Sequence, residues 1–546
     1  MQAHIERVQA DLGSLERAYP VRLGLGRAAR LEAFYIDELA KLKTVDFGKL
    51  AQDDQLDYVL LENHLRHSLA QHKTEQKRLS ISRSLLPFSE TITKLEETRR
   101  RMEPIDGAAS AKTLNELVKA ISQAQRDLEA GKGLPKDARM RQVQGNAAAN
   151  DLRGLTRSLS DWYSFYNGYD PLFSWWCQAP YGEVSEALKN LQNSLKEKVV
   201  GIRADDTTTI IGQPIGETAL KEELAFERIP YSPSELVEIA EKEYAWCEAQ
   251  AKKAAKQMGF GEDWHAALEH VKGLHVKPGE QPQLIRELAL EAIDFLEKRD
   301  LVTIPALAKE TWRMDMMSPE RQLVSPFFLG GESIIVSYPT DTMSQDAKLM
   351  SMRGNNRHFS RATVQHELIP GHHLQGFMLD RYRPYRQMFG TPFWIEGWAL
   401  YWEMRLWDLG FAATPEDKMG MLFWRMHRAV RIVFSLRFHL GELAPLECVE
   451  MLVKRVGHEP STALAEVRRS FAGDYGPLYQ AAYMVGGLQF RALHTELVKS
   501  GKMNERQFHD AILQSGQMPV EWVRANLSNA KVKPGSESSW RFYDSK

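Results

Sequence analysis

Three histidines and one glutamate lie within eight consecutive residues of the chain. His366 and Glu367 are adjacent, and His372 and His373 follow after the residues Leu-Ile-Pro-Gly. Neutral imidazoles bind divalent zinc well, and a carboxylate beside a bound zinc ion can act as a general base. This segment therefore predicts a metal-dependent hydrolytic site, with Glu367 as its base.

The spacing of these histidines differs from the common zincin pattern His-Glu-x-x-His, in which two ligands lie one helical turn apart. Here Pro370 occupies the position of the second ligand. On an unbroken helix, His372 would lie about 240° around the axis from His366, and His373 about 10.5 Å along it. Neither could share a zinc ion with His366 at Zn–N distances of about 2.0–2.1 Å. Because Pro370 and Gly371 can interrupt a helix, we predict a break that returns His372 to His366, with His373 as the alternative ligand.

A third ligand is expected from residues 393–403, which have helical spacing and many aromatic side chains. Glu396 lies 24 residues after His372, and a carboxylate from a second helix is the usual partner of two histidines in an open catalytic zinc site. The alternative is a surface carboxylate at a helix N-terminus. Glu403, seven residues later on the same helical face, is a competing ligand or a side chain that orients a ligand.

The whole chain has the composition of a globular protein. Its 546 residues include 70 Lys and Arg and 72 Asp and Glu, for a formal charge of −2, with 43% hydrophobic residues. This balance argues against nucleic acid as a main partner and against disorder as the main state. The chain contains no apolar run of about 18 residues, so no membrane span is expected. The sequence also shows no signal peptide, which favours a cytoplasmic protein, or a secreted or periplasmic one if a leader was removed.

Helical periodicity dominates the chain, and the strongest strand signal covers residues 331–338, bounded by Gly330 and Pro339. We therefore predict a mainly α fold with one small sheet. A provisional boundary near residue 300 separates an N-terminal helical scaffold lobe, 1–300, from a catalytic lobe, 301–546.

The motif at residues 366–375, followed by Glu-Gly-Trp-Ala-Leu-Tyr at 396–401, resembles the signature of the family called domain of unknown function 885. Residues 169–200 also look like the N-terminal half of that family. The family is similar to the gluzincin metallopeptidases, especially the thimet-oligopeptidase-like and thermostable-carboxypeptidase-like branches. The resemblance implies a large two-lobed helical fold with a small β-sheet beside the metal-binding helix and a deep cleft. It also favours His372 over His373 as the second ligand, because a Gly-His pair follows His-Glu in those relatives.

Further residues gain expected roles from this resemblance. Residues 480–486 are similar to a C-terminal segment of the family, which makes Tyr483 the first candidate and Tyr479 the second for a hydrogen bond to the developing oxyanion. Arg431 and His439 also resemble family positions, where they would bind a substrate carboxylate, orient a ligand or serve a buried structural role. The strand at 331–338 is expected to pair with extended substrate backbone.

Together these observations predict a zinc metallopeptidase of short peptides with one Zn²⁺ per chain, and they carry no prediction of its oligomeric state. His366, His372 and Glu396 would hold the metal. One alternative is a metal-dependent hydrolase of a non-peptide amide or ester, with a pocket lined by tryptophans 175, 176, 394, 398 and 402. The other is a non-catalytic scaffold that retains the fold, although the presence of Glu367 argues against it.

Overall fold

The computed structural model of the protein describes residues 1–203, 206, 208–322, 327–472 and 475–544. α-Helices make up most of these ranges, and the regular β-structure in them is one sheet of two short strands. The prediction of a mainly α fold with a small sheet is therefore confirmed. Among the described residues, none of the helices combines the length and the apolar content needed to cross a bilayer.

The chain divides into two compact units. Unit 1 comprises Met1–Lys49 and Leu61–Ile211, and unit 2 comprises Leu50–Leu60 and Gly212–Lys546. The predicted boundary near residue 300 lies inside unit 2, because helices that precede residue 300 pack against helices that follow it in this unit.

Unit 1 is built from long helices around an apolar core that includes Leu114, Leu152, Trp162 and Phe173. Aspartates begin several of these helices, since Asp106, Asp137 and Asp170 each accept a hydrogen bond from a backbone N–H of the first turn. A 3-10 turn at Phe47–Lys49 and a π-helical turn at Leu195–Val200 complete the unit. Its helices, the third of which begins in unit 2, are α1 (Gln2–Ala18), α2 (Leu25–Leu42), α3 (Gln52–Leu85), α4 (Ser89–Arg100), α5 (Gly107–Glu129), α6 (Ala138–Tyr166) and α7 (Pro171–Ser194).

Unit 2 carries the predicted metal-binding residues. Proline stands at the first turn of many of its helices, where a missing N–H costs no hydrogen bond. A 3-10 turn spans Pro384–Phe389, and a π-helical turn spans Thr495–Lys499. The helices are α8 (Gly216–Phe226), α9 (Pro233–Gln257), α10 (Trp264–Lys272), α11 (Gln281–Lys298), α12 (Ala306–Thr311), α13 (Pro319–Gln322), α14 (Gln345–Gly354), α15 (Arg357–Glu367), α16 (His372–Leu379), α17 (Pro392–Asp408), α18 (Pro415–His439), α19 (Pro445–Val456), α20 (Pro460–Phe471), α21 (Tyr479–His494), α22 (Glu505–Gln514) and α23 (Val520–Leu527).

The sheet of unit 2 pairs β1 (Arg313–Met316) with β2 (Ser333–Val336) in parallel. β2 lies within the predicted strand, whereas β1 was not predicted because its four residues show no strand pattern. Ile334 and Val336 of β2 pack with Val364 of α15 in one apolar cluster. The sheet therefore lies against the helix that carries His366, as expected.

The helices that carry the predicted site pack closely on one another. α15 packs on α18, and α17 packs on α21. Gly397 of α17 and Gly486 of α21 meet at the second of these contacts, where a Cβ on Gly397 would lie 2.6 Å from the Cα of Gly486. Two glycines thus let α17, which bears Glu396, approach the helix that bears Tyr479 and Tyr483.

Candidate functional site

The helix that begins the histidine motif is interrupted, as predicted. α15 ends at Glu367 and α16 begins at His372, and Gly371 between them donates its N–H to the carbonyl of Gln365 at 3.0 Å. A Cβ on Gly371 would lie 1.8 Å from the carbonyl oxygen of His366. Only glycine fits this close approach, so the break depends on it.

This break brings two imidazoles and one carboxylate to a common point. Glu396 Oε2 lies 3.3 Å from His366 Nε2 and 3.2 Å from His372 Nε2. The two imidazole rings are nearly perpendicular, with centroids 4.8 Å apart. The structure therefore brings together the three side chains predicted as ligands.

The two separations between the carboxylate and the imidazoles fit a zinc ion. Three ligand atoms at about 2.0–2.1 Å from a tetrahedral zinc ion lie ~3.3 Å from one another. The carboxylate–imidazole distances of 3.2 and 3.3 Å match this value. A carboxylate oxygen of Glu367 also lies within 4.8 Å of ligand atoms of His366 and His372. Since Glu396 Oε2 is closer to both imidazoles, Glu396 suits the third ligand and Glu367 stands beside the site.

Each of the three side chains is also held at its other polar atom. Glu403 Oε1 lies 2.7 Å from His366 Nδ1, and Gln375 Oε1 lies 3.4 Å from His372 Nδ1. The hydroxyl of Tyr479 donates a hydrogen bond to Glu396 Oε1. Such outer contacts fix the orientation of metal ligands and, for an imidazole, which nitrogen faces the metal. Glu403 thus orients His366 instead of competing with Glu396.

Tyr479 was predicted as a site residue from the sequence, whereas Gln375 was not. Gln375 was not assigned a role, although its place one turn after His372 is a usable signal. Tyr479 was the second candidate for the oxyanion contact and was also a candidate partner of a metal ligand or of the substrate, and its hydroxyl is engaged with Glu396. Its role in the structure is therefore to orient a carboxylate.

Two other predicted histidines lie away from the candidate metal-ligand cluster, which consists of His366, His372 and Glu396. His373 Nε2 is 3.0 Å from the carbonyl oxygen of Ala308, so this side chain faces α12. His439 packs on Phe438 and Phe471 and does not line the cavity beside the cluster. Burial lowers the pKa of His439 to about 4, as expected for a neutral core histidine.

A cavity of about 420 Å³ opens beside the ligand cluster, and Glu367 lies on its wall. Gly330 faces this carboxylate, since a Cβ at Gly330 would lie 2.3 Å from Glu367 Oε2. The glycine therefore makes the room that the Glu367 side chain occupies.

The electrostatics of the cluster favour a cation. Burial opposes the charged form of His366, but Glu396 and Glu403 outweigh it and raise the pKa of His366 to about 9. Burial likewise opposes ionisation of Glu396, while His372 and His366 hold its pKa well below the usual range. Burial raises the pKa of Glu367. A divalent cation at this point would meet the same carboxylates that now attract a proton to the imidazole.

Tyr483 and Arg431 both line the cavity. The ring of Tyr483 is nearly parallel to that of His366, with centroids 6.1 Å apart. Burial and the charge of Glu396 raise the pKa of Tyr483 to about 12, so its hydroxyl is a hydrogen-bond donor at neutral pH. Arg431 is buried and pairs with Glu466, with Nη2 2.6 Å from Oε1.

The aromatic residues considered for a non-peptide pocket lie elsewhere. Trp394, Trp398 and Trp402 are fully buried in the core of unit 2 and do not line the cavity. Trp175 and Trp176 belong to unit 1, where they are exposed.

The predicted substrate strand is paired on both sides at Ile335. The backbone N–H of Ile335 donates to the carbonyl of Leu329 at 2.8 Å, and its carbonyl accepts from the N–H of Leu329 at 3.1 Å. On its other side β2 pairs with β1. β2 therefore has no free edge at Ile335, and substrate backbone cannot pair with the strand at this residue.

Residues 13–527 match the family described as bacterial protein of unknown function (DUF885). The chain belongs to this family. The match covers nearly all of this DUF885 protein, which confirms the family resemblance carried by the histidine motif. None of the curated proteins matches the chain at a significant level.

Two solved structures resemble this DUF885 protein in fold. One is a "putative lipoprotein of unknown function" from Shewanella oneidensis, with 16% identity and a TM-score of 0.72 over 97% of this chain and 100% of that one. The other is a "putative lipoprotein" from Colwellia psychrerythraea, with 15% identity and a TM-score of 0.62 over 97% of this chain and 98% of that one. At these identities the likeness concerns the fold alone.

Proposed function

We propose that this DUF885 protein is a zinc-dependent peptidase that hydrolyses short peptides. One observation carries the proposal: His366, His372 and Glu396 each turn one polar atom toward a common point while another side chain holds the opposite atom. A merely structural cluster of two histidines and a glutamate does not need this outer set of contacts, whereas a metal centre does. The likeness of the motif to gluzincin metallopeptidases supports the same assignment.

The roles of the surrounding residues follow from their positions. Zinc held by His366, His372 and Glu396 would supply a Lewis acid that polarises a carbonyl group and lowers the pKa of water toward ~7. Glu367 takes a proton from the attacking water and passes it to the leaving nitrogen as the carbon–nitrogen bond breaks. Tyr483, whose pKa keeps it protonated, donates a hydrogen bond to the oxyanion that develops on the carbonyl oxygen.

The cavity supports a small substrate. Its volume of about 420 Å³ lies in the range of pockets that enclose small ligands, about 300–1,000 Å³. A peptide of a few residues fits such a space, and a folded protein does not.

The test uses zinc-reconstituted full-length protein and a library of tri- to hexapeptides, with products read by mass spectrometry. We expect cleavage by the wild type and a loss of turnover on the order of 10²–10⁴-fold in Glu367→Gln, which keeps its zinc. Glu396→Gln should lose both zinc and turnover. Folded protein with one zinc per chain that cleaves no peptide would refute the proposal. Cleavage of amide or ester compounds in place of peptides would favour a non-peptide hydrolase, and no turnover of either class would favour a scaffold.

A further inference from the structure

The cavity beside the metal-ligand cluster has a strongly basic wall. Arg428 and Arg431 of α18 and Arg469 of α20 all line it. Arg428 and Arg431 are buried, with 5% and 1% of their surface exposed. Guanidinium groups remain charged in proteins, so this wall keeps its positive charge at any physiological pH.

The described acidic side chains balance this charge only in part. Glu466, which is fully buried, lies 2.6 Å from Arg431 Nη2 and 3.2 Å from Arg469 Nε. Glu403 Oε1 is 3.8 Å from Arg428 Nη2, but the same oxygen is only 2.7 Å from His366 Nδ1. Within the described ranges, the three arginines thus share one carboxylate of their own.

Several guanidinium nitrogens on this wall lack a hydrogen-bond partner. Among the described residues, none accepts a hydrogen bond from Arg428 Nε or from Nε and Nη1 of Arg431, although these atoms are buried. A buried donor without an acceptor costs about 1–3 kcal/mol, and more when it is charged. Within the described ranges, both carboxylate oxygens of Glu466, which pairs with this wall, also lack a hydrogen-bond partner. The attraction for a small anion in the cavity therefore rests on the excess of three guanidinium groups over one carboxylate.

The ring of Tyr483 lies next to both the basic wall and the metal-ligand cluster. The guanidinium carbons of Arg428 and Arg431 lie 4.4 and 4.5 Å from the ring centre of Tyr483. The imidazole of His366 is also near this ring, with centroids 6.1 Å apart. Two peptide residues at ~3.8 Å each span more than either of these separations, the longer of which is 6.1 Å.

We propose that these arginines bind the free C-terminal carboxylate of the substrate, which makes the protein a peptidase that acts from the C-terminus. This inference rests on the proposed function, since it names the substrate class of the same site. A guanidinium group binds a carboxylate through two parallel hydrogen bonds, and a buried charge pair of this kind is strong. The carboxylate would fix the peptide so that the bond one or two residues before its end meets Glu367.

The test compares each peptide of a tri- to hexapeptide library as a free acid and as a C-terminal carboxamide. Turnover by the wild type is read by mass spectrometry, and binding is read by affinity selection on the zinc-loaded Glu367→Gln variant. We expect the free acids to be cleaved and bound at least tenfold better than the carboxamides. The released products should be single C-terminal residues or dipeptides.

Two variants of α18 assign the preference to the basic wall. Arg431→Gln should reduce the acid-to-amide ratio to near one. Arg425→Gln is the matched control, because Arg425 is a buried arginine of the same helix that pairs with Glu243 and does not line this cavity. The acid-to-amide ratio of the control should stay at the wild-type value.

The outcomes separate this inference from the proposed function. Equal cleavage of acids and amides, or a preference that follows an internal Glu or Asp, would overturn the inference and leave the peptidase intact. Preferential binding of acids without cleavage of any peptide would support the carboxylate site and refute the peptidase. Absence of both binding and cleavage would overturn both. The comparison of acids with amides as substrates of the wild type needs no substitution. It therefore tests the preference for a free C-terminal carboxylate even if Arg431→Gln fails to fold.

Discussion

A Cβ atom on Gly486 of α21 would lie 2.2 Å from the carbonyl oxygen of Phe393 on α17. The contact joins the helix that bears Glu396 to the helix that bears Tyr479, whose hydroxyl bonds that carboxylate. The packing of these two backbones therefore sets the position of one ligand.

Gly486→Ala should destabilise the protein and weaken metal binding. The added methyl group has no space at the crossing, and overpacking of this kind costs typically about 1–3 kcal/mol. Gly487→Ala is the control, because its Cβ would meet its nearest neighbours at 3.4 Å, an ordinary contact distance. Thermal unfolding and zinc content of the two variants check the prediction. It fails if both alanine variants behave alike.

Measurements of metal content should distinguish His366 and His372, the predicted ligands, from His373, the neighbour of His372 in sequence. We expect His366→Ala to lose the zinc measured by elemental mass spectrometry, because the substitution removes one of the three converging ligand atoms. His373→Ala should keep it, since that side chain faces Ala308. Loss of zinc from His373→Ala in a folded protein would contradict the assignment of His372 as the second ligand.

The Tyr479 hydroxyl should raise metal affinity by orienting Glu396. Removing an outer contact of a ligand typically weakens metal binding by about 10–100-fold, and we expect Tyr479→Phe to fall in this range. Tyr475→Phe serves as the matched variant: its ring lies 4.1 Å from that of Tyr479, and its hydroxyl has no hydrogen bond to Glu396 among those the structure describes. Competition with a zinc chelator measures both affinities. Equal affinities for the two variants would count against this role.

A buried carboxyl outside the site should make stability depend on pH. Burial raises the pKa of Glu227 from 4.5 to about 8, against the opposing hydrogen bond from Thr391, and Glu223 adds to the increase. Between these values the folded state binds more protons than the unfolded state, so stability falls as the pH rises from about 4.5 to about 8. Below this window the contribution is fully present.

Glu227→Gln removes this titration. Relative to the wild type, the variant should therefore gain stability between pH 5 and pH 8, by a few kcal/mol at most. Melting temperatures of both proteins across this range measure the difference. The control is Glu217→Gln, which changes an exposed residue of α8, the helix that ends one residue before Glu227. A constant difference between wild type and Glu227→Gln at all pH values would show that Glu227 does not titrate in this window.

The core of the candidate site could be predicted from sequence because its ligands lie close together in the chain. The break at Pro370 and Gly371 followed from helix geometry alone, since an intact helix would separate the histidines. Glu396 is only 30 residues from His366, within the same motif. The predicted ligands needed few assumptions about the tertiary fold.

Several contacts around the ligands could not be predicted in this way. Gly330 faces Glu367 across a contact between a loop and a helix, and Glu466 pairs with Arg431 across two helices. Such pairs carry no local pattern. The same limit explains His439, which looks like a site residue in sequence but packs against Phe471 in the core.

The three converging side chains come from residues 366–396, whereas the basic wall of the cavity comes from α18 and α20, beyond that segment. In the proposed peptidase, the residues for metal binding and those for substrate selectivity thus lie in separate stretches of the sequence. Under this proposal, substrate preference could change by exchange of residues of α18 and α20 while the ligand segment stays unchanged. The same separation could be used to redirect the proposed peptidase by design, beginning at Arg428 and Arg431.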